Sequence, residues 1–104
     1  MDRFDQLLAT VVARRSADPA SSYVAKLTAK GRAKLAQKLG EEAVEVVIAA
    51  ISDDRTGLVS ESADLMFHLA VLLADAGLSF DDVRAELERR EGVSGLEEKA
   101  KRAT

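Results

Sequence analysis

The sequence predicts an all-α protein, and three observations predict it. Ala, Leu, Glu, Lys and Arg dominate while turn-formers are scarce, with 1 proline and 6 glycines among 104 residues. Apolar residues recur at intervals of three and four, the spacing of one face of an amphipathic helix. No stretch alternates apolar and polar residues as a half-buried strand would.

Each element follows from that pattern. Phe4, Leu7, Leu8, Val11 and Val12 mark a first helix to about Arg15. Ser16-Ala17-Asp18-Pro19 ends it, because proline cannot continue a helix and restricts Asp18. Ser21 or Ser22 caps a long second helical stretch reaching about Ser52. Gly31 and Gly40 lie inside it and each costs roughly 1 kcal/mol against alanine, so a break or bend is expected near Gly31. Asp53 or Asp54 caps the next helix, which runs to Ala76 and ends on Gly77 as a left-handed terminator. Ser79 and Asp82 have the spacing of a capping box, and Leu78 with Val83 that of a hydrophobic staple. The last helix ends near Arg90. Residues 1–91 thus form one domain of four to five helices, followed by a polar tail, 92–104, whose order the sequence leaves open.

Composition narrows the functional classes. The charge of −3 disfavours a nucleic-acid binder held by phosphate neutralisation. The absence of cysteine excludes a disulfide scaffold and a thiolate metal site. No apolar run approaches the ~18–20 residues of a membrane span, and no basic-then-apolar leader opens the chain. A cytoplasmic protein with no membrane partner is expected. A chain this short buries only about two-thirds of its unfolded surface, which favours an oligomer.

The informative feature is where the acids fall. Along 39–52, Leu39, Ala43, Val44, Val46, Val47, Ile48, Ala50 and Ile51 occupy most of the helix circumference. A helix apolar nearly all round is expected to be buried by neighbouring helices or by a second subunit. Glu41, Glu42 and Glu45 occupy the remaining arc, with Glu42 and Glu45 one turn apart. The following helix repeats the arrangement with Glu61 and Asp64 among Leu58, Leu65, Met66, Leu69, Leu72 and Leu73. One Glu-x-x-Glu pair is usually a solvated face. Two pairs, each in a strongly apolar helix and separated by one turn, converge at similar heights in an antiparallel hairpin. Four unpartnered carboxylates there would repel, and a bound cation resolves the repulsion. All-oxygen ligation suits Mg²⁺, or Mn²⁺, over zinc.

Other polar residues are weighed against plainer roles. Lys26, Lys30, Lys34 and Lys38 recur every four residues. Lys26 and Lys34 read as solvated, whereas Lys38, one turn before Glu42, is the best candidate for a phosphate contact and Lys30 the next. His68, the only histidine, lies one turn after Asp64 and could act from behind a metal ligand; a packed, hydrogen-bonded core histidine is the plainer reading. Met66 and Phe67 read as core, and Tyr23 as a core or interface aromatic with base stacking open to it.

Gly40-Glu41-Glu42-Ala43-Val44-Glu45 followed by Glu61-Ser62-Ala63-Asp64 resembles the E-E-x-x-E … E-x-x-D signature of the all-α nucleoside triphosphate pyrophosphohydrolases. The segments Ser22–Leu27, Lys38–Glu42, Asp64–Leu73 and Arg90–Gly95 are similar to those of the phosphoribosyl-ATP pyrophosphohydrolase family, so the resemblance spans nearly the whole chain. It implies hydrolysis of 1-(5-phosphoribosyl)-ATP to 1-(5-phosphoribosyl)-AMP and pyrophosphate, the second step of histidine biosynthesis. It also implies metal-binding acids at Glu42, Glu45, Glu61 and Asp64, with Glu41 matching the leading acid of the motif. Two alternatives stay open: a house-cleaning nucleoside triphosphate pyrophosphatase of the same fold, and a non-enzymatic helical dimerisation module. The apolar circumference of the two long helices predicts a homodimer of four-helix-bundle type.

Overall fold

The computed structural model describes residues 1–103, and all regular structure among them is helical. Six helices form: α1 Arg3–Arg14, α2 Tyr23–Ala29, α3 Arg32–Ile51, α4 Arg55–Asp75, α5 Phe80–Arg89 and α6 Gly95–Ala103. That is more than the four to five expected, for two local reasons. The stretch from Ser22 to Ser52 is divided because Gly31 adopts φ +91°, a left-handed conformation that only glycine takes without strain, and caps the start of α3. The tail is also helical over α6, with acids in its first turn and bases in its last, as the helix dipole favours.

α3 and α4 form an antiparallel hairpin that is the dominant contact of the molecule, and α1 lies along α4. The hairpin turn is tight. Asp53 sits at φ +55° and the Asp54 N–H donates to the Ala49 carbonyl at 3.0 Å, while the Asp54 carboxylate caps α4 by accepting from the Gly57 N–H at 2.9 Å. α4 ends the same way on Gly77 at φ +73°, with the Leu78 N–H donating to the Leu73 carbonyl at 2.8 Å. The expected capping box starts α5, where the Asp82 carboxylate accepts from the Ser79 N–H at 2.8 Å. Leu78 and Val83, the expected staple, are both exposed; Phe80 is the buried residue of this turn, edge-on to Phe4 of α1.

The core is Val11, Val24, Leu27, Leu35, Ala70, Val71, Ala74 and Phe80, gathered at the C-terminal half of α4. Arginines fasten its rim. Arg15 donates to the Ala74 carbonyl at 2.6 Å, and Arg15 and Arg32 both pair with Asp75, closing the C-terminus of α4 with positive charge. Arg84 ties α5 to α1 through Asp2 and Asp5, each at 2.7 Å. α6 is held by a nearly buried Glu98 that accepts from Arg89 at 2.7 Å.

One expectation is refined and one corrected. Of the two covers expected for α3, its own neighbouring helices supply only part: Leu35 and Ala49 are buried, while Val44, Val47, Ile48 and Ile51 face outwards. And α4 is long and apolar enough, by length and composition alone, to cross a bilayer. Counting uninterrupted apolar residues misses this because Glu61 and Asp64 punctuate the helix. Here α4 is the central helix, with α3 and α1 against it.

Candidate metal centre

The hairpin decides the site. Glu42 and Asp64 are equally far from Asp53 in opposite directions along the chain, as are Glu45 and Glu61, so a tight turn brings the two pairs level. Glu42, Glu61 and Asp64 each place a carboxylate oxygen within 4.8 Å of the others, Glu42 and Glu61 half-buried and Asp64 exposed. Glu61 is the most perturbed: partial burial first, and then the charges of Asp64, Glu45, Glu42 and Asp54, raise its carboxyl above the ordinary range. Two helices thus hold three oxygen donors together against their own repulsion, the donor chemistry of a hard divalent cation.

Not every expected residue joins them. Glu45 is exposed and acts on Glu61 through its charge, but its oxygens lie outside the group of three. Glu41 points to its own helix, accepting from Gln37 Nε2 at 3.0 Å and lying 3.9 Å from Lys38 Nζ. Gln37 is a partner the sequence reading passed over; its spacing one turn before Glu41 was the available signal. Lys38 is half-buried beside this group. Lys30 is exposed at the C-terminal cap of α2, with no contact to the acids. Lys26 and Lys34 are exposed, as a solvated face requires.

His68 is buried on α4, and its Nδ1–H donates to the Asp64 carbonyl at 2.8 Å. The contact is to the backbone of Asp64 and not to its carboxylate, so His68 is a hydrogen-bonded core histidine in the first instance. The other ring nitrogen, Nε2, is buried without a partner among the described residues. Tyr23 stacks on Phe67 with ring centroids 6.0 Å apart and planes 15° from parallel. Tyr23 remains 55% exposed while Phe67 packs against the core, so the pair presents an aromatic face to solvent.

The sequence model of the phosphoribosyl-ATP pyrophosphohydrolases matches residues 4–91, a span that holds the whole acid cluster. The chain belongs to this family. It is 67% identical over 98 residues to the phosphoribosyl-ATP pyrophosphatase of Rhizorhabdus wittichii, covering 94% of this chain and 92% of that one. The protein of the same name from Erythrobacter litoralis is 61% identical over 98% of both chains. That from Zymomonas mobilis is 61% identical over 88% of this chain and 86% of its own. Three acids of the signature by which the sequence resembles the family, Glu42, Glu61 and Asp64, are the ones the hairpin gathers.

Proposed function

We propose that this protein hydrolyses 1-(5-phospho-β-D-ribosyl)-ATP to 1-(5-phospho-β-D-ribosyl)-AMP and pyrophosphate, the second step of histidine biosynthesis, in the cytoplasm. The observation that carries the reading is the convergence of Glu42, Glu61 and Asp64 from two helices in a chain of this family. Cleaving a phosphoanhydride needs charge on the phosphate oxygens neutralised and a water aligned for in-line attack. A Mg²⁺ ion, or Mn²⁺ in its place, supplies both when bound.

Glu42, Glu61 and Asp64 hold the cation, and Glu45, one turn from Glu42 on the exposed flank, completes the set by a change of rotamer. Holding these carboxylates at fixed heights on packed helices is pre-organisation, so little rearrangement remains for the chemical step. Lys38 contacts the polyphosphate, with Glu41 and Gln37 fixing its position. Lys30 gives a second, outer charge for the same anion. His68 secures the turn of α4 that carries Asp64.

The reading includes a homodimer, supported by three observations. Val44, Val47, Ile48 and Ile51 line one outward face of α3. A groove of about 660 Å³ between α1 and α4, lined by Leu7, Val59, Met66 and Phe67 among others, is largely apolar. The accessible surface of 7089 Å² exceeds the roughly 5,700 Å² of a monomer of this mass. A second copy laying its α3 face into that groove gives a four-helix-bundle-type dimer.

The test is pyrophosphate release across a panel of triphosphates at saturating Mg²⁺. Phosphoribosyl-ATP is expected to have the highest kcat/KM. Preference for a deoxynucleoside or noncanonical triphosphate would place the protein among house-cleaning pyrophosphatases, and no release from any would leave only the dimerisation module.

A further inference from the structure

A second cavity, of about 560 Å³, lies at the elbow where α1 gives way to α2. Its lining includes Arg14, Ser21, Ser22, Tyr23 and Phe67, and no carboxylate. In a chain whose net charge is −3, a pocket with one cation and no acid has a definite electrostatic bias. The two serines are committed to the fold. Ser22 Oγ accepts from the Ala25 N–H at 3.1 Å and donates to the Arg14 carbonyl at 3.4 Å, and Ser21 Oγ donates to the Asp18 carbonyl at 3.2 Å. The Arg14 guanidinium has no ion-pair or hydrogen-bond partner among the described residues, in contrast to Arg15, Arg32, Arg84, Arg89 and Arg90.

Phe67 is the lining residue closest in sequence to the acid cluster. It follows Asp64 on α4 by three residues, about 4.5 Å along the axis. Its partner Tyr23 offers an exposed ring on the pocket side. A ligand whose polyphosphate sits at Glu42, Glu61 and Asp64 therefore has an aromatic face next in line, and beyond it an unpaired guanidinium.

We propose that this elbow receives the end of the substrate remote from the cleaved bond: the purine stacks on Tyr23, and the lone phosphate of the added phosphoribosyl group is held by Arg14. The inference rests on the proposed reaction and adds its specificity. Base–aromatic stacking is tolerant of base identity, so the ring supplies affinity. The guanidinium supplies discrimination, because its fork matches a phosphate that ordinary nucleoside triphosphates lack at that end. The volume is in the range of sites that enclose small ligands.

Steady-state kinetics on phosphoribosyl-ATP and on ATP, each with saturating Mg²⁺, test this. For Arg14→Gln the expected result is about a tenfold rise in KM for phosphoribosyl-ATP, a much smaller change in kcat, and a matching fall in its kcat/KM preference over ATP. Tyr23→Leu is expected to raise KM for both substrates, and Tyr23→Phe, which keeps the ring, to restore it. Melting curves and sedimentation accompany each variant, since a purely structural role would move those and leave the preference alone. An unchanged preference in Arg14→Gln, with wild-type turnover of phosphoribosyl-ATP intact, overturns the subsite without touching the reaction; absent wild-type turnover overturns the reaction itself.

Discussion

Glu61 concentrates the electrostatic cost of the acid cluster, because partial burial and four neighbouring carboxylates all oppose its ionised form. Its removal is therefore expected to separate stability from activity. Glu61→Gln should melt no lower than wild type without metal, since it relieves repulsion, yet lose about a hundredfold or more in kcat with a smaller change in KM. Added Mg²⁺ should stabilise wild type by about 2.7 kcal/mol at a hundred times its Kd, and that increment should shrink in Glu61→Gln and in Asp64→Asn. Thermal melts with and without metal check both statements; an undiminished increment would move the ion elsewhere. Lys38 acts differently, as a charge beside the cluster and not within it. Lys38→Ala should raise KM roughly five- to tenfold with turnover less affected, read from the same kinetics.

At the scale of elements, the hairpin turn and the α5–α6 junction invite separate tests. Asp53 holds a left-handed conformation at the position where α3 turns into α4, although glycine is the residue best suited to it. Asp53→Gly should stabilise the protein by about 0.5–1 kcal/mol, because the strain relieved exceeds the added freedom of the unfolded chain. Unfolding in denaturant measures it, and a loss of stability would mean the Asp53 side chain is needed in the turn. Glu86 accepts hydrogen bonds from Arg89 and, more weakly, Arg90, which hold its carboxyl down to about 2 from the ordinary 4.5. A depressed acid stabilises the fold above its unfolded pKa and loses that contribution as pH falls between the two values. The difference in melting temperature between wild type and Glu86→Gln should therefore be constant above pH 5 and vanish towards pH 2.

For the whole molecule, the radius of gyration of 15.7 Å exceeds the ~13 Å of a compact domain of this length. The elongation comes from a hairpin whose outer face is apolar and uncovered by its own chain, with Ile51 81% exposed. A dimer at micromolar concentration is the expected state by sedimentation. Ile51→Glu, which places a charge at the C-terminal end of that face, should weaken association by at least tenfold while leaving the helicity of each chain. A wild-type monomer of normal helicity would overturn the assembly.

The all-α class, a cap at Asp53 or Asp54 and another at Ser79, the terminator at Gly77 and the acids of the site were all legible in the sequence, because each depends on residues within a turn or two of one another. Helix periodicity also anticipated that Glu42 and Asp64 would come level, since a short turn allows an antiparallel hairpin little freedom in register. What periodicity could not supply was the outcome of competition between elements. Whether Gly31 bends or divides a helix depends on what α2 packs against, and Val24, Ala25 and Leu27 reward the division by burying themselves in the core. Which three of the four acids share one space depends on how α3 and α4 rotate about their own axes, and that rotation leaves Glu45 on the exposed flank. The elbow of Arg14, Tyr23 and Phe67 gathers residues from three elements, and no local pattern relates them. Local sequence determined the helices and the chemistry they carry; tertiary packing decided which side chains face one another, because that is settled by burial summed over the whole chain.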